Sequence, residues 1–373
     1  MKYNWQYPDW PSFSYHLSAV EDKIYVFAEQ LGKSSGALKA MDLEDQTEAI
    51  IHTMVSEAIK TSEIEGEYLS RKDVMSSIRN KMGLNQIPEE VNDLNARGIA
   101  ELMLEVRQTF AEALSEEMLF NWHRLLLPDS PGMKIGVWRS HLEPMQVVSG
   151  AIGKEKVHFE APPSNKVPEE IQVFIQWFND TAPGGPKEIK YAPVRASICH
   201  LYFESIHPFE DGNGRIGRAL AEKCLSQTSG QPVLLSLSAT IESNKKAYYK
   251  ELQMGQRSNE ITSWLIYFTN TIIDAQLRAE GLINFTLAKA KFFDRYQDDL
   301  NLRQLKVINR MLEEGPEGFE GGMNARKYIG IAKTSKATAT RDLQDLVEIG
   351  AFVPVGKGRS TRYELKFADY SKA

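Results

Sequence analysis

The sequence predicts a mainly α-helical protein carrying two small β-hairpins. Three observations predict it. Apolar residues recur at helical spacing along most of the 373 residues, with serine at several helix starts and glycine or proline at the ends. Two short β-rich pairs flank glycine-containing turns: Val147-Val148 with Val157-His158-Phe159, and Phe352–Val355 with Thr361–Leu365. Between two of the apolar helices lies one dense polar segment, His207 to Arg218. The breaks suggest three stretches: a helical N-terminal region over 1–110, a core over 111–283, and a connector helix with a tail domain over 284–373.

Composition sets the class. Charged residues at 25% and hydrophobic ones at 42% describe an ordinary soluble globular protein. A net charge of −6 argues against wholesale nucleic-acid binding, though not against a local basic patch. Cys199 and Cys224 are the only cysteines, both on apolar helix faces, so no disulfide or zinc framework is expected. No apolar run is long enough to span a membrane and the N-terminus lacks a signal-like core, so a cytoplasmic protein with no membrane partner is the expectation.

In chain order, Trp5, Tyr7, Pro8, Trp10, Pro11 and Phe13 form a stiff aromatic opening that should pack back on a domain. Helices are expected over about 16–31, with Leu17, Val20, Ile24 and Phe27 on one face, and over about 43–62. The second ends in Thr61-Ser62-Glu63-Ile64-Glu65-Gly66, with Gly66 suited to the left-handed position after a helix. Ser70 caps a helix over 71–81, and two more follow over about 91–113 and 116–127. Pro128 to Gly132 breaks the chain, Gly136-Val137-Trp138-Arg139 opens a non-helical stretch, and the first hairpin lies within it. A helix over 168–179 precedes the one that delivers His207. Leu234 to Ser238 then connects to a helix bearing Lys245, Tyr248 and Tyr249, followed by helices over 261–279 and about 284–300.

The segment His207-Pro208-Phe209-Glu210-Asp211-Gly212-Asn213-Gly214-Arg215-Ile216-Gly217-Arg218 reads as a loop entering a helix N-terminus. Such a start presents unpaired N–H groups and partial positive charge, a seat for phosphate. Gly212 and Gly214 can curl successive N–H groups into an anion nest. Arg215 and Arg218, three apart, can grip further phosphate oxygens. Asp211 is a hard ligand suited to magnesium, and His207 can take a proton from a hydroxyl near neutral pH.

The segment resembles the complete signature of the Fic family, His-Pro-Phe-x-Asp/Asn-Gly-Asn-Gly-Arg-x-x-Arg. The resemblance implies a helical core that transfers AMP from ATP to a Ser, Thr or Tyr hydroxyl of a protein, itself included. His207 would be the general base and Asp211 the Mg2+ ligand. Gly212, Asn213 and Gly214 would hold the inner phosphates and Arg215 and Arg218 the outer ones, with Ile216 and Gly217 also counted in the nucleotide site. Beside such a core, Thr61, Glu65 and Gly66 match the inhibitory motif Ser/Thr-x-x-x-Glu-Gly/Asn, with Glu65 in the γ-phosphate's place. The hairpin around Val157, His158 and Phe159 would be the flap that registers a target segment, His158 being a solvated side chain rather than a second base. Tyr249, and more weakly Gln256, would lie near the adenine.

The tail is separate. Three helices and a hairpin, with Ser335–Ile349 as recognition helix and Lys357–Arg359 as wing tip, resemble a winged helix-turn-helix. From Asn324 onward ten bases outnumber five acids, leaving the tail at +5 and the rest at −11. DNA is therefore one expected partner, weakened by the acids Asp342, Asp345 and Glu348 on the recognition helix. Homodimerisation or protein docking is the other use of such a module. Two other functions compete with AMP transfer: a DNA-binding regulator with a nucleotide-sensing core, and removal of AMP by a water that Glu65 orients.

Overall fold

The computed structural model describes residues 2–128, 132–149, 156–315, 318–356 and 358–367. Contacts divide the chain into two compact units, Met1–Ser35 with Ile50–Ala279, and Gly36–Ala49 with Glu280–Ala373. In order the helices are α1 (Glu21–Lys39), α2 (Leu43–Ile64), α3 (Arg71–Lys81), α4 (Leu94–Gln108), α5 (Glu116–Leu126), α6 (Val167–Asp180), α7 (Ala192–Ile206) and α8 (Asn213–Ser229). Then come α9 (Leu237–Ser243), α10 (Lys245–Gly255), α11 (Thr262–Tyr296), α12 (Leu302–Leu312), α13 (Ala325–Ala332) and α14 (Lys336–Glu348). The strands are β1 (Gln146–Ser149), β2 (Lys156–Glu160), β3 (Phe352–Val355) and β4 (Arg362–Leu365).

The first unit is built around α7. All 15 of its residues are buried, including Arg195, His200 and Glu204. A helix wrapped on every side loses the polar face that a surface helix keeps, so its chemistry-bearing residues are held by their neighbours. The Arg195 guanidinium, for instance, donates to the Phe178 carbonyl and Gln227 Oε1. The aromatic opening packs back as expected. Trp10 and Phe13 meet the Tyr202 ring edge-on at 5.1 and 5.5 Å, and Asn4 donates to Ser205 Oγ.

Capping chemistry sets most helix ends. Ser70, Asp93 and Ser115 each accept a backbone N–H from the first turn of α3, α4 and α5. Gly230 ends α8 in the left-handed region, φ +69°. The first hairpin is antiparallel, with Val147 opposite Phe159 and Val148 opposite Val157, and a bulge between Val147 and Val148.

Three expectations need correction. The helices expected over 261–279 and 284–300 are one, α11, because Gly281 is the only breaker between them and a single glycine costs only about 1 kcal/mol in a helix. The segment 234–238 is not a plain connector: Ser236 caps the short α9. The helix expected from about residue 16 begins at Glu21, after a 3-10 turn over Leu17–Ala19, and runs on to Lys39.

The second unit holds α12, α13, α14 and the β3–β4 hairpin around Val307, Ile308, Met311, Tyr328, Leu343, Leu346 and Phe352. Three helices and an antiparallel hairpin are present as anticipated. Ser335 Oγ accepts the Thr338 N–H at the head of α14. Of the three acids on that helix, Asp342 is buried. It takes two N–H groups of Arg303 at 2.9 and 3.0 Å and the Tyr328 hydroxyl at 2.8 Å, so it adds no negative charge to the surface. Lys357 of the expected wing tip lies outside the described residues, as do the turn between β1 and β2 and residues 129–131.

Candidate active site

The last turn of α7 and the start of α8 create the site. His207 is the C-cap of α7 with φ 50°, ψ 61°, a left-handed conformation that costs a non-glycine residue energy. Arg139 holds it there. Its Nε donates to the His207 carbonyl at 2.7 Å, Nη2 to the carbonyls of Ile206 and Pro162, and Nη1 to Ser164 Oγ. Burial lowers the Arg139 pKa to about 10, still well above neutrality. Sequence reasoning placed Arg139 only in a loop. Its signal, an arginine among aromatic and apolar neighbours, is too common to single out.

The loop that follows is fixed from inside. The Asn213 carboxamide bonds both the N–H and the carbonyl of Phe209 at 2.9 Å. Its side chain is therefore a loop staple, and what it offers a phosphate is its backbone N–H at the start of α8. Asp211 Oδ1 accepts the Gly212 N–H at 2.6 Å. His123, another residue the sequence reading missed, stacks on Phe209 with ring centroids 4.1 Å apart. Its Nδ1 accepts the Gly136 N–H at 2.8 Å, which leaves the proton on Nε2, 3.3 Å from the Asp211 carbonyl. Burial pushes the His123 pKa down to about 4, so the ring is neutral.

The glycines do different jobs from one another. Gly212 has φ +82°, and a Cβ there would stand 2.9 Å from Leu126 Cδ2. Gly214, expected to curl a nest, is ordinary helix within α8. It is small for another reason: a Cβ would lie 2.4 Å from Glu65 Oε1 and 3.1 Å from Arg218 Nη1.

Glu65 reaches that point from the end of α2. Its Oε1 accepts from Arg218 Nη2 at 2.8 Å, while Arg218 also donates to Thr61 Oγ1 at 2.8 Å and to the Thr61 carbonyl at 3.0 Å. Burial works to lower the Arg218 pKa, and the Glu65 charge outweighs it, so the guanidinium is held above its ordinary range. Gly66 has φ +85°, the left-handed residue that ends the helix. Lys245 Nζ bonds the Ile64 carbonyl, a second cation on this helix end.

A cleft of about 1020 Å³ opens beside these groups. It is lined by Glu65, His207, Asp211, Gly212, Gly214 and Arg218, by Tyr249 and lysines of α10, and by the hairpin's Val147, Val148 and His158. Tyr249 is 38% exposed there, whereas Tyr248 is core and meets His200 Nε2 at 2.8 Å. Gln256 lines the cleft but is tied by Nε2 to the Glu204 carbonyl.

Three residues expected in the nucleotide site are not among those lining the cleft. Arg215 pairs with Glu67 at 2.9 Å and with Asp211 at 3.5 Å. Ile216 is fully buried in the core, and Gly217 packs against Glu204 and His200. In the flap, His158 is half-buried rather than solvated, and Phe159 is 2% exposed with Tyr3 edge-on at 5.0 Å. Phe159 anchors the hairpin; Val148 and Val157 are its exposed apolar residues.

Comparison with known proteins agrees with this geometry. Residues 113–225 match the Fic/DOC family, and residues 3–84 match a domain of unknown function, DUF4172. A Fido domain-containing protein of Dictyostelium discoideum is 35% identical over 118 residues, covering 31% of this chain and 77% of its own length. A probable protein adenylyltransferase of Aquifex aeolicus is 24% identical over 238 residues, 57% of this chain and 69% of its own length. The crystal structure of a Fic family protein from Desulfovibrio desulfuricans shares the fold, with a TM-score of 0.52 at 19% identity over 92% of this chain and 96% of that one. The chain belongs to the Fic/DOC family.

Proposed function

We propose that this chain is a protein adenylyltransferase that its own α2 helix holds inactive. The observation that carries the reading is the juxtaposition of His207, the N-terminus of α8 and Arg218 around one cleft, with Glu65 bonded to Arg218 inside it. The names of the Aquifex aeolicus relative and of the Nematostella vectensis protein adenylyltransferase, 25% identical over 185 residues, support the chemistry.

In this reading ATP lays its phosphates over the N–H groups at the start of α8, and the γ-phosphate takes the place of Glu65 on Arg218. A Ser, Thr or Tyr hydroxyl of the target gives its proton to His207 as its oxygen attacks the α-phosphorus. The bond to pyrophosphate breaks, and AMP stays on the target. Asp211 fits Mg2+, because its half-exposed carboxylate lines the cleft and magnesium takes one or two carboxylates beside phosphate oxygens and waters. Bound there, the ion would neutralise phosphate charge. With Glu65 closed on Arg218 the triphosphate is displaced, and an error of about 1 Å can cost some hundredfold in such a step.

Intact-mass spectrometry after incubation with MgATP tests this. Glu65→Gly should gain an adduct of one AMP far faster than the unmodified chain. His207→Ala added to Glu65→Gly should cut transfer by about 10²–10⁴-fold while nucleotide affinity holds. No adduct from either Glu65→Gly or the unmodified chain, with self or with added protein targets, sinks the reading.

For the tail the reading is contact with DNA phosphates through α14. Its support is the charge of +5 from Asn324 onward, exposed Lys336 and Arg341, and the inward-turned Asp342.

A further inference from the structure

We propose that Glu204 is the positioning residue of His207, holding the imidazole with its Nδ1 proton turned inward and Nε2 facing the cleft. This rests on the reading of His207 as base, and it adds the group that makes the base point the right way.

Glu204 and His207 close the last turn of α7 three residues apart, and Glu204 Oε2 lies 3.6 Å from His207 Nδ1. Both are enclosed, with side chains 5% and 14% exposed. Neither backbone is free to drift. The His207 N–H donates to the Phe203 carbonyl, Arg139 holds the His207 carbonyl, and Gln256 Nε2 holds the Glu204 carbonyl. The approach is longer than a finished hydrogen bond, as catalytic pairs often are before substrate binds.

A carboxylate this deep needs donors, and the surroundings supply few. Glu204 Oε1 accepts no hydrogen bond among the described residues. It faces Gly217, where a Cβ would come within 2.5 Å, and the His200 ring behind it. His200 Nε2 is engaged with the Tyr248 hydroxyl. Arg218 gives Nε to Thr61 Oγ1 and Nη2 to the Thr61 carbonyl and Glu65. His200 Nδ1 and His207 Nδ1 both lack a hydrogen-bond partner among the described residues, and Oε2 lies 3.6 Å from the His207 nitrogen. Burial works to raise the Glu204 carboxyl. The neighbouring His207, with His200 and Arg218 beyond, outweighs it and holds the Glu204 carboxyl below its ordinary value, an anion at neutral pH.

The chemical gain is twofold. With the proton on Nδ1, the lone pair sits on Nε2, where the target hydroxyl must lose its proton. When Nε2 takes that proton, as the new O–P bond forms and the bond to pyrophosphate breaks, the imidazolium stands beside a carboxylate that stabilises it. The logic is that of a base oriented by a third group.

Nitrogen NMR on the full chain labelled with ¹⁵N-histidine tests the pairing without any activity. The His207 signals, identified by their loss in His207→Asn, should show Nδ1 as the protonated nitrogen of the neutral ring. Glu204→Met keeps the side chain's length but removes both oxygens, and should abolish that preference. Dominance of the Nε2–H tautomer in the unmodified chain overturns the proposal, even if Glu204→Met does not fold. Kinetics give the second arm, in the Glu65→Gly background. Glu204→Met should lower kcat on the order of 10²-fold with little change in KM for ATP, and Glu204→Gln, which restores an acceptor, should recover part of it. An unchanged kcat, or a loss confined to KM, overturns it. If Glu65→Gly transfers no AMP while the NMR shows the Nδ1 proton and its dependence on Glu204, the pairing stands and adenylyl transfer fails.

Discussion

Two arginine–carboxylate pairs, Arg218–Glu65 in the first unit and Arg303–Asp342 in the second, each hide one partner, and the two are built the opposite way round. In the first unit the cation is the hidden partner: the Arg218 side chain is 1% exposed and Glu65 29%. In the second the anion is hidden: Asp342 is 4% exposed and Arg303 44%. A buried cation with a half-open carboxylate can exchange that carboxylate for another anion arriving through the cleft. A buried anion whose oxygens are taken by Arg303 and the Tyr328 hydroxyl has no such exchange open to it. Under the proposed function the same bond is a switch in one unit, while in the other it is a strut. What separates them is which partner water can reach.

Breaking both pairs sharpens the contrast. The largest effect should come from Glu65→Gly, which is expected to raise AMP transfer by about a hundredfold. Arg218→Ala breaks the same pair but deletes a phosphate ligand, and should not activate. Equal rates for Glu65→Gly and the unmodified chain in a radiolabelled-ATP assay would remove the switch. Next, Asp342→Ala should leave transfer unchanged but weaken the second unit, by about 1–3 kcal/mol for the buried Tyr328 hydroxyl left without its acceptor, read by urea unfolding.

A pH series separates strut from surface pair. Burial works to raise the Asp342 carboxyl, but its bonds to Arg303 and Tyr328 hold it below its ordinary 3.8. Its contribution is therefore complete above about pH 4 and is lost as pH falls through the lower folded value. Asp342→Asn should flatten that acid dependence, and a dependence identical to wild type would show that the pair carries no stability. The smallest effect belongs to the surface of α14. Arg341→Ala should reduce the salt dependence of DNA retention by about one ion, and no retention of the unmodified chain at low salt would leave the tail without this role.

What could be read from sequence follows from how local the cause is. Helices α3 and α5 were placed to within a residue, because Ser70 and the run from Glu116 carry their own start signals. The motif was legible because its residues are contiguous. Glu65 was legible because its spacing to Thr61 and Gly66 lies within one helix end. Arg139, His123, Glu67 and Glu204 were not, since their meaning is fixed only when distant segments meet. Glu67 lies 148 positions from the Arg215 it neutralises. The surroundings of Arg215 and Gly214 were not legible for a related reason: residue type announced what each could do, while their neighbours Glu67 and Glu65 come from a distant part of the chain.

Arg139 has a consequence of its own. One planar guanidinium bonds the carbonyls of Pro162, Ile206 and His207 and the hydroxyl of Ser164, so the exit of the β1–β2 hairpin and the turn bearing His207 share a fastener. A lysine, with one point of charge and no fork, could not span these acceptors. Insertions between Glu160 and Ser164 would have to release the hold of Arg139 on the left-handed turn of His207. The spacing from the hairpin exit to the His207 turn is the rigid dimension of this site.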